Sequence, residues 1–405
     1  MSPAGPDWLL PDSLWWDGRL RTGVALGPAR PAAGAGSVTE AGAVTQAGAA
    51  EAGSVTQAGA AEAGSVTQAG AAEAGSVTRA GPVAGAGAVA GASAVAGAGA
   101  FGGRVVVPVA EVPAGAARRR LPGTVLPGLR DAHVHSALVD LPTVRAGGIS
   151  SVWDLGGVPA KVAAEAARGA PAVRFAGPFL IAPGGYPGDR SWAPAGSCRE
   201  VLSAADAAAA VDEAHGGGAT LIKVTAHAGG PMLSDATLAA VVEAAHAVTL
   251  PVVVHAEGPG TVAAALAAGA DVLAHTPWTE ALDDGLIRDC AARMTWISTL
   301  DIHGWGTATP EREVALGNLR RFLGHGGKVR YGTDLGNGPL PPGINPRELA
   351  ALLEAGLSPA DVLAAATDPD QGEPAWLPAG LDLEPATFAG SLATARVLGP
   401  HVRPR

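Results

Sequence analysis

Cysteine, aromatic residues and basic clusters are all scarce in this chain. Among 405 residues there are 2 cysteines, and aromatic residues make up 4%. Two cysteines are too few for a disulfide framework or for a cysteine-based zinc site. The formal net charge is -10, and the largest basic cluster is Arg118–Arg120. We therefore expect no binding to nucleic acid.

Targeting and membrane-spanning signals are also missing. The first 20 residues lack a basic stretch followed by an apolar one, so they do not read as a signal peptide. Outside an Ala/Gly tract, no run of about 18 apolar residues occurs that could cross a membrane. We expect a cytoplasmic protein without a membrane partner, and the sequence leaves homo-oligomer formation open.

Glycine and alanine dominate a repetitive segment, residues 32–101. The sequence AGSVTQAGAAE occurs at Ala52–Glu62 and again at Ala63–Glu73. An 11-residue period could suit a right-handed helical supercoil. However, each repeat carries two glycines and no large apolar residue, which disfavours a packed helix. We predict that residues 32–101 are a low-complexity, disordered insertion.

From Leu126 onward, apolar runs alternate with helical patterns. Eight apolar runs begin at Leu126, Ile149, Ala172, Thr220, Pro251, Asp271, Met294 and Lys328. Ala-, Leu- and Glu-rich helical patterns lie between most of them, as at 234–248 and 311–323. Apolar strands separated by helices indicate a parallel sheet that is buried on both faces. The pattern predicts an α/β fold with a (β/α)8 TIM barrel over residues 126–368.

The two ends of the chain have shorter patterns that favour strands. Trp15 and Trp16 precede an Asp-Gly pair, which predicts a hairpin turn. A strand is also predicted at 394–398. We expect three segments, residues 1–31, 102–125 and 369–405, to form a small β-sandwich satellite domain beside the barrel.

Two histidines close the apolar run LPGLRDAHVHS. His133 and His135 are two residues apart, and in a β-strand such residues point to the same face. Both imidazoles could therefore reach one point beyond the end of the strand. Neutral imidazoles that converge in this way are the beginning of a metal site.

Further polar residues lie at or near the ends of later strands. They are Lys223, His255, His275 and Asp334. In a (β/α)8 barrel, the chemistry is located at the carboxyl ends of the strands. A single histidine there is more often a hydrogen-bonded core residue, but four on three strands indicate a metal site. A buried lysine needs either a salt bridge or a chemical modification. Loop residues Tyr186, His227 and His303 are candidates for substrate contacts.

In these residues the chain resembles the amidohydrolase superfamily. The shared features are the HxH pair, the lysine, the two later histidines and the aspartate, in this order. The segments "LIKVTAHAGG" and "VVVHAEG" are most similar to the branch of prolidase-like dipeptidases and cyclic-amide hydrolases. The resemblance implies two divalent metal ions, usually zinc. It implies the metal ligands His133, His135, Lys223, His255, His275 and Asp334, with Lys223 carboxylated and bridging the two ions.

The resemblance also implies a mechanism. A hydroxide that bridges the metals would attack a carbonyl, and Asp334 would be the catalytic residue that transfers its proton. We expect cleavage of an amide-type C–N bond in a small-molecule substrate: an N-acyl amino acid, a dipeptide or a cyclic amide. The same site could act on a lactone, a phosphoester or an amidine. A non-catalytic scaffold that works through the Ala/Gly tract is a third hypothesis.

Overall fold

The structure is a computed structural model that describes residues 8–29, 101, 104–368 and 372–399. All of these residues belong to one compact unit. The prediction of a disordered insertion falls almost entirely on residues outside the described ones.

The described residues contain eighteen strands and ten α-helices. The strands are β1 Trp8–Trp16, β2 Arg19–Arg21, β3 Val24–Ala29, β4 Arg104–Pro108, β5 Arg118–Leu126, β6 Gly128–Val134, β7 Ile149–Asp154, β8 Ala172–Phe175, β9 Phe179–Ile181, β10 Cys198–Glu200, β11 Ile222–His227, β12 Val252–Glu257, β13 Val272–Leu273, β14 Thr295–Ile297, β15 Lys328–Arg330, β16 Thr367–Asp368, β17 Ala375–Leu377 and β18 Arg396–Val397. The helices are α1 Leu141–Ala146, α2 Pro159–Ala167, α3 Ala207–Gly216, α4 Asp235–Ala247, α5 Thr261–Ala267, α6 Asp284–Arg293, α7 Pro310–Gly324, α8 Pro346–Glu354, α9 Pro359–Ala366 and α10 Pro385–Leu392.

Strands β6 to β15 run parallel to their neighbours and, with the antiparallel strand β16, form two sheets that backbone hydrogen bonds join in two places. One sheet has the order β16-β6-β7-β8, and the other has the order β10-β9-β11-β12-β13-β14-β15. At one junction the Thr220 amide donates a hydrogen bond of 2.9 Å to the carbonyl of Phe175. At the other, the Ala132 amide donates to Tyr331 at 3.0 Å, and the Leu335 amide donates to His133 at 3.1 Å. This ring of parallel strands, with helices between them, is consistent with the predicted (β/α)8 barrel.

Two details of this region differ from the predictions. The apolar run that begins at Ala172 is divided into β8 and β9 instead of forming one strand. Pro178 lies in the gap and has no amide hydrogen for a sheet, and Gly177 has a φ of 73°. The tail also contains a helix, α10, where only broken structure and one strand are predicted.

Strands from three distant parts of the chain form a third, mixed sheet. Its order is β18-β17-β5-β1-β3-β4, with β2 paired to β1. The hairpin prediction is confirmed, because Trp16 pairs with Arg19 around Asp17 and Gly18. Both turn residues have positive φ, 52° and 68°, as a type I′ turn requires.

Three apolar clusters hold these layers together. The largest packs the helices against the outer faces of the parallel strands. A second lies between those strands and includes Ala132, Trp153 and Ile297. The third belongs to the mixed sheet. No helix in the described part of the chain combines the length and apolar character needed to span a bilayer.

Candidate metal centre

A cavity of roughly 350 Å³ opens at the carboxyl ends of the parallel strands. All six sequence-predicted metal ligands line it: His133, His135, Lys223, His255, His275 and Asp334. The first two lie at the end of β6, and the lysine and third histidine lie within β11 and β12. The remaining two follow β13 and β15. Side chains from strands that are far apart in the sequence therefore lie together in this cavity.

The HxH pair is oriented by backbone carbonyl groups. The Nδ1 atom of His133 lies 2.9 Å from the carbonyl oxygen of Ala274. The Nδ1 atom of His135 lies 3.0 Å from the carbonyl oxygen of Gly156. A carbonyl oxygen can only accept, so each Nδ1 carries the proton and donates. In the neutral rings both Nε2 atoms then keep a lone pair for a cation.

The carboxylate of Asp334 lies close to the Nε2 lone pairs of both histidines. Its Oδ1 atom lies 3.1 Å from Nε2 of His133 and 3.1 Å from Nε2 of His135. Two neutral imidazole lone pairs and a carboxylate oxygen repel one another unless a proton or a cation lies among them. Ligands of one tetrahedral zinc, with bonds of about 2.0–2.1 Å, are about 3.3 Å apart. The donor atoms and their spacing therefore fit a bound metal ion.

Neighbouring groups hold the aspartate in its ionised form. Burial by itself would raise the pKa of Asp334, but the imidazoles, led by His133, hold it well below its usual range. The Nδ2 group of Asn337 donates to Oδ2 at 2.9 Å, which leaves Oδ1 directed at the imidazoles. Asp334 also has a φ of 59°, a conformation that aspartate tolerates better than most residues.

The histidines respond to burial in different ways. Burial lowers the pKa of His133 and of His275 well below the usual value, which favours the neutral, ligating form. Burial also acts to lower the pKa of His135, but its bond to Asp334 more than offsets this, and the net direction is upward. A metal ion in place of a proton would satisfy the same arrangement.

His275 connects the two halves of the centre. Its potential ligand atom and those of His133 and Asp334 lie within 4.8 Å of one another. Its ring centroid is 4.7 Å from that of His133 and 5.0 Å from that of His255. The hydroxyl of Thr299 lies 3.0 Å from its Nδ1 and fixes the ring.

A second group of potential ligands contains a residue that the sequence analysis missed. Glu257 Oε2 lies 2.9 Å from Nε2 of His255 and 3.1 Å from Nδ1 of His227. Glu257 follows His255 by two residues in β12, so both point to the same face. The spacing rule that identified His133 and His135 could therefore have identified Glu257.

Lys223 is enclosed at the base of the cavity. Lys223 is only 2% exposed. Within the described ranges it forms no ion pair with a carboxylate. The salt bridge that the sequence leaves open for it is therefore not formed there. Burial lowers the pKa of Lys223 to about 7, so a substantial share of the amine is neutral near neutral pH.

Aromatic and apolar side chains also line the cavity, and we call them the aromatic wall. They are Leu138, Phe179, Tyr186, Trp192, Trp278 and Ile302. Tyr186 stacks on His255 with ring centroids 4.9 Å apart. Of the predicted substrate contacts, only Tyr186 lines the cavity. His227 contacts Tyr186, and His303 packs behind Trp278 with ring centroids 5.0 Å apart.

Buried hydrogen bonds position the first strand of the site. The Oδ1 atom of Asp131 accepts from the amides of His133 and Thr333, each at 3.0 Å. These bonds join the end of β6 to the turn that carries Asp334. Burial raises the pKa of Asp131 to about 7. Its role is thus to set the position of two predicted ligands.

A family model described as the amidohydrolase family matches residues 124–368. The chain belongs to this family. The matched region contains all six predicted ligands. Membership makes the protein a hydrolase that acts on carbon–nitrogen bonds. No curated protein matches the chain.

Solved structures of amidohydrolases share the fold. Ochratoxinase of A. niger is 20% identical, with 72% of this chain and 86% of that chain covered and a TM-score of 0.58. A Xaa-Pro dipeptidase with bound methionine is 14% identical, with 97% and 100% covered and a TM-score of 0.62. A prolidase complexed with N-methylphosphonate-L-proline is 20% identical, with 73% and 91% covered and a TM-score of 0.56.

Proposed function

We propose that this amidohydrolase hydrolyses the amide bond of a small molecule that carries an aromatic or bulky apolar group. N-acyl amino acids, dipeptides and cyclic amides are the substrate classes that we infer. One observation carries the proposal: the six polar side chains and the aromatic wall line a single cavity. Such a cavity can bind a carbonyl group at its polar side chains and an apolar group against its aromatic ones.

Two divalent metal ions, which we infer to be zinc, would be held by the polar side chains of the cavity. His133, His135 and Asp334 would hold one ion, and His255 and His275 would hold the other. Bound there, the ions would ionise a water molecule at neutral pH and polarise the substrate carbonyl.

Lys223 would bridge the two ions as a carbamate. Its neutral amine would add to carbon dioxide and lose one proton, which forms an N–C bond and an anionic oxygen ligand. This proposal stands on position: an enclosed lysine among the ligands has no carboxylate partner among the described residues. Conversion to an anion removes the cost of a buried, unpaired ammonium group.

Asp334 would move the proton during the reaction. Its carboxylate would accept a proton from the attacking water as the oxygen–carbon bond forms. The same group would pass that proton to the substrate nitrogen as the carbon–nitrogen bond breaks, so the leaving group departs as a neutral amine. Asn337 orients the carboxylate, because its amide donates to Oδ2.

The family supports this choice of bond, and the named structures agree with it. Ochratoxinase, a Xaa-Pro dipeptidase and a prolidase are among the proteins with the same fold. We also infer that residues 126–368 form a closed (β/α)8 barrel. Strands from residues 1–31, 102–125 and 369–405 would form the satellite domain beside it.

Metal analysis of the purified chain tests the centre. We expect about two zinc or similar ions per chain, and we expect them to be lost in His133→Ala. His215→Ala, which removes an exposed histidine on α3, should retain them. A folded chain that binds no metal after incubation with zinc would contradict the proposal.

A substrate panel tests the bond and the aromatic wall. We expect measurable kcat/KM for N-acyl amino acids or dipeptides, with N-acetyl-phenylalanine preferred over N-acetyl-alanine. Trp192→Ala should reduce that preference, because Trp192 contributes to the apolar wall. Turnover of lactones or phosphotriesters without turnover of any amide would favour the alternative reaction class instead.

A further inference from the structure

Three arginines gather around one tryptophan towards the amino ends of the parallel strands. Arg130 of β6, Arg174 of β8 and Arg330 of β15 place their guanidinium carbons 5.5, 5.1 and 4.9 Å from the centre of the Trp153 ring. The metal centre lies at the other, carboxyl ends of these strands. We call these four residues the arginine cluster.

The arginine cluster carries more positive than negative charge. Arg130 forms an ion pair of 2.7 Å with Asp368. Among the described residues, Arg174 and Arg330 form no ion pair with a carboxylate within 4.0 Å. Three guanidinium groups therefore share one paired carboxylate there. Burial, together with Arg130, lowers the pKa of Arg330 to about 10.

Several hydrogen-bond donors of the cluster are buried and have no acceptor. They are Nε of Arg130, Nε of Arg330 and Nε1 of Trp153. The Arg130 side chain is only 5% exposed. A buried donor without an acceptor is destabilising, and more so when the group is charged. The two arginine Nε atoms therefore have no anionic partner in direct contact with them.

A cavity of roughly 560 Å³ adjoins the cluster. Arg130, Lys328 and Arg330 line it, together with Asp361 and the loop glycines Gly326 and Gly327. The wall therefore carries three cationic groups and one carboxylate, and the cavity has the size of a small-molecule site. Guanidinium groups match the planar, two-oxygen edge of a phosphate or a carboxylate.

We propose that the arginine cluster binds the phosphate or carboxylate group of a small metabolite, at a site separate from the metal centre. The anion would neutralise the excess charge. Arg330 and Lys328 would contact it from the cavity wall. Arg130 would contribute its positive charge while its Nη1 atom remains bound to Asp368.

Titration calorimetry on the metal-loaded full chain tests the site. The probes are inorganic phosphate and succinate, each at low ionic strength and compared with chloride of equal ionic strength. We expect saturable binding of at least one probe. Arg330→Gln should weaken it by about tenfold or more, the loss expected for one charge-assisted hydrogen bond. Arg293→Gln, which removes an equal charge from an exposed position on α6, should bind as the wild type does.

The two probes show whether the site prefers a phosphate or a carboxylate group. Tighter binding of phosphate assigns the site to a phosphorylated molecule, and tighter binding of succinate assigns it to a carboxylate. A thermal-shift series is the second readout, because a ligand of the folded state raises the unfolding temperature. If Arg330→Gln does not fold, Lys328→Gln replaces it at the exposed rim. The proposal is wrong if neither probe binds, or if the cluster variant binds as tightly as Arg293→Gln.

Discussion

At the scale of single residues, the candidate centre depends on the Nδ1 atoms of its histidines, which would not bind a metal ion themselves. The carbonyl groups of Ala274 and Gly156 occupy Nδ1 of the HxH histidines, and Thr299 occupies Nδ1 of His275. These contacts select the tautomer and the orientation of each ring. Burial then disfavours protonation of most of the rings. The ligand set is therefore preorganised by its neighbours.

Glu257 offers a direct test of such a neighbour. We expect Glu257→Gln to lower zinc affinity about 10- to 100-fold, because the carboxylate that orients His255 is lost. Competition with a chromophoric chelator measures this affinity. Glu243→Gln, on the exposed face of α4, is the matched control. Equal affinities in the two variants would show that Glu257 does not position the ligand.

Glu348 gives a prediction for pH. It is buried and accepts from the amides of Leu300 and Asp301 at 3.0 and 2.7 Å. Burial raises its pKa from 4.5 to about 7. Between these values the folded state binds more protons than the unfolded state, so this residue's contribution to stability falls as pH rises.

Urea denaturation of the wild type and of Glu348→Gln measures that contribution. The free energy of unfolding of the wild type, minus that of the variant, should decrease as pH rises from 4.5 to about 7. The slope should not exceed about 1.4 kcal/mol per pH unit. A difference that stays constant over this range would contradict the expectation.

At the scale of elements, the site depends on how closely the strands approach one another. Gly332 lies between β15 and Asp334, in the segment that runs beside the end of β6. A Cβ atom at Gly332 would lie 2.3 Å from Cγ2 of Ile297 and 3.1 Å from the amide nitrogen of His133. The absence of a side chain there allows the strands that carry His133 and Asp334 to meet.

Gly332→Ala should therefore disturb both folding and the site. We expect a loss of about 1–3 kcal/mol in the free energy of unfolding, because Ile297 is buried and cannot move freely. Gly317→Ala is the control, since Gly317 lies within α7 and nothing surrounds its Cβ position. That variant should gain about 0.5–1 kcal/mol. Denaturant unfolding of both variants distinguishes these opposite signs.

At the scale of the whole molecule, the centre joins residues from His133 to Asp334. The ligands come together only when every parallel strand between them is in place. A metal ion that binds this set stabilises the folded state and leaves the unfolded chain unchanged. Metal binding is thus coupled to folding of the entire parallel sheet.

Metal removal should accordingly lower the unfolding temperature of the whole chain. A ligand at 1,000 times its Kd contributes about 4 kcal/mol of stability. We expect a chelator to lower Tm, zinc to restore it, and His275→Ala to show no response to either. His246→Ala, on the exposed side of α4, should respond as the wild type does. A Tm that is the same with and without bound metal would contradict this coupling.

The sequence by itself determined the alternation of strands and helices, the hairpin at Asp17, and the apolar runs on or just after which the six polar residues lie. These features are local: they follow from periodicity, turn residues and the two-residue repeat of a strand. The break after β8, helix α10 and the aromatic wall were not predicted. The repeat prediction falls almost entirely outside the described residues.

Only the tertiary structure decided which atoms meet. The contact of Asp334 with His133 joins positions about 200 residues apart, and no local pattern contains such a distance. The same holds for Arg330, which lies beside Trp153 although the two residues are far apart in the sequence. Local patterns predict on which face of a strand a side chain lies. The packing of the strands decides which of these faces line the same cavity.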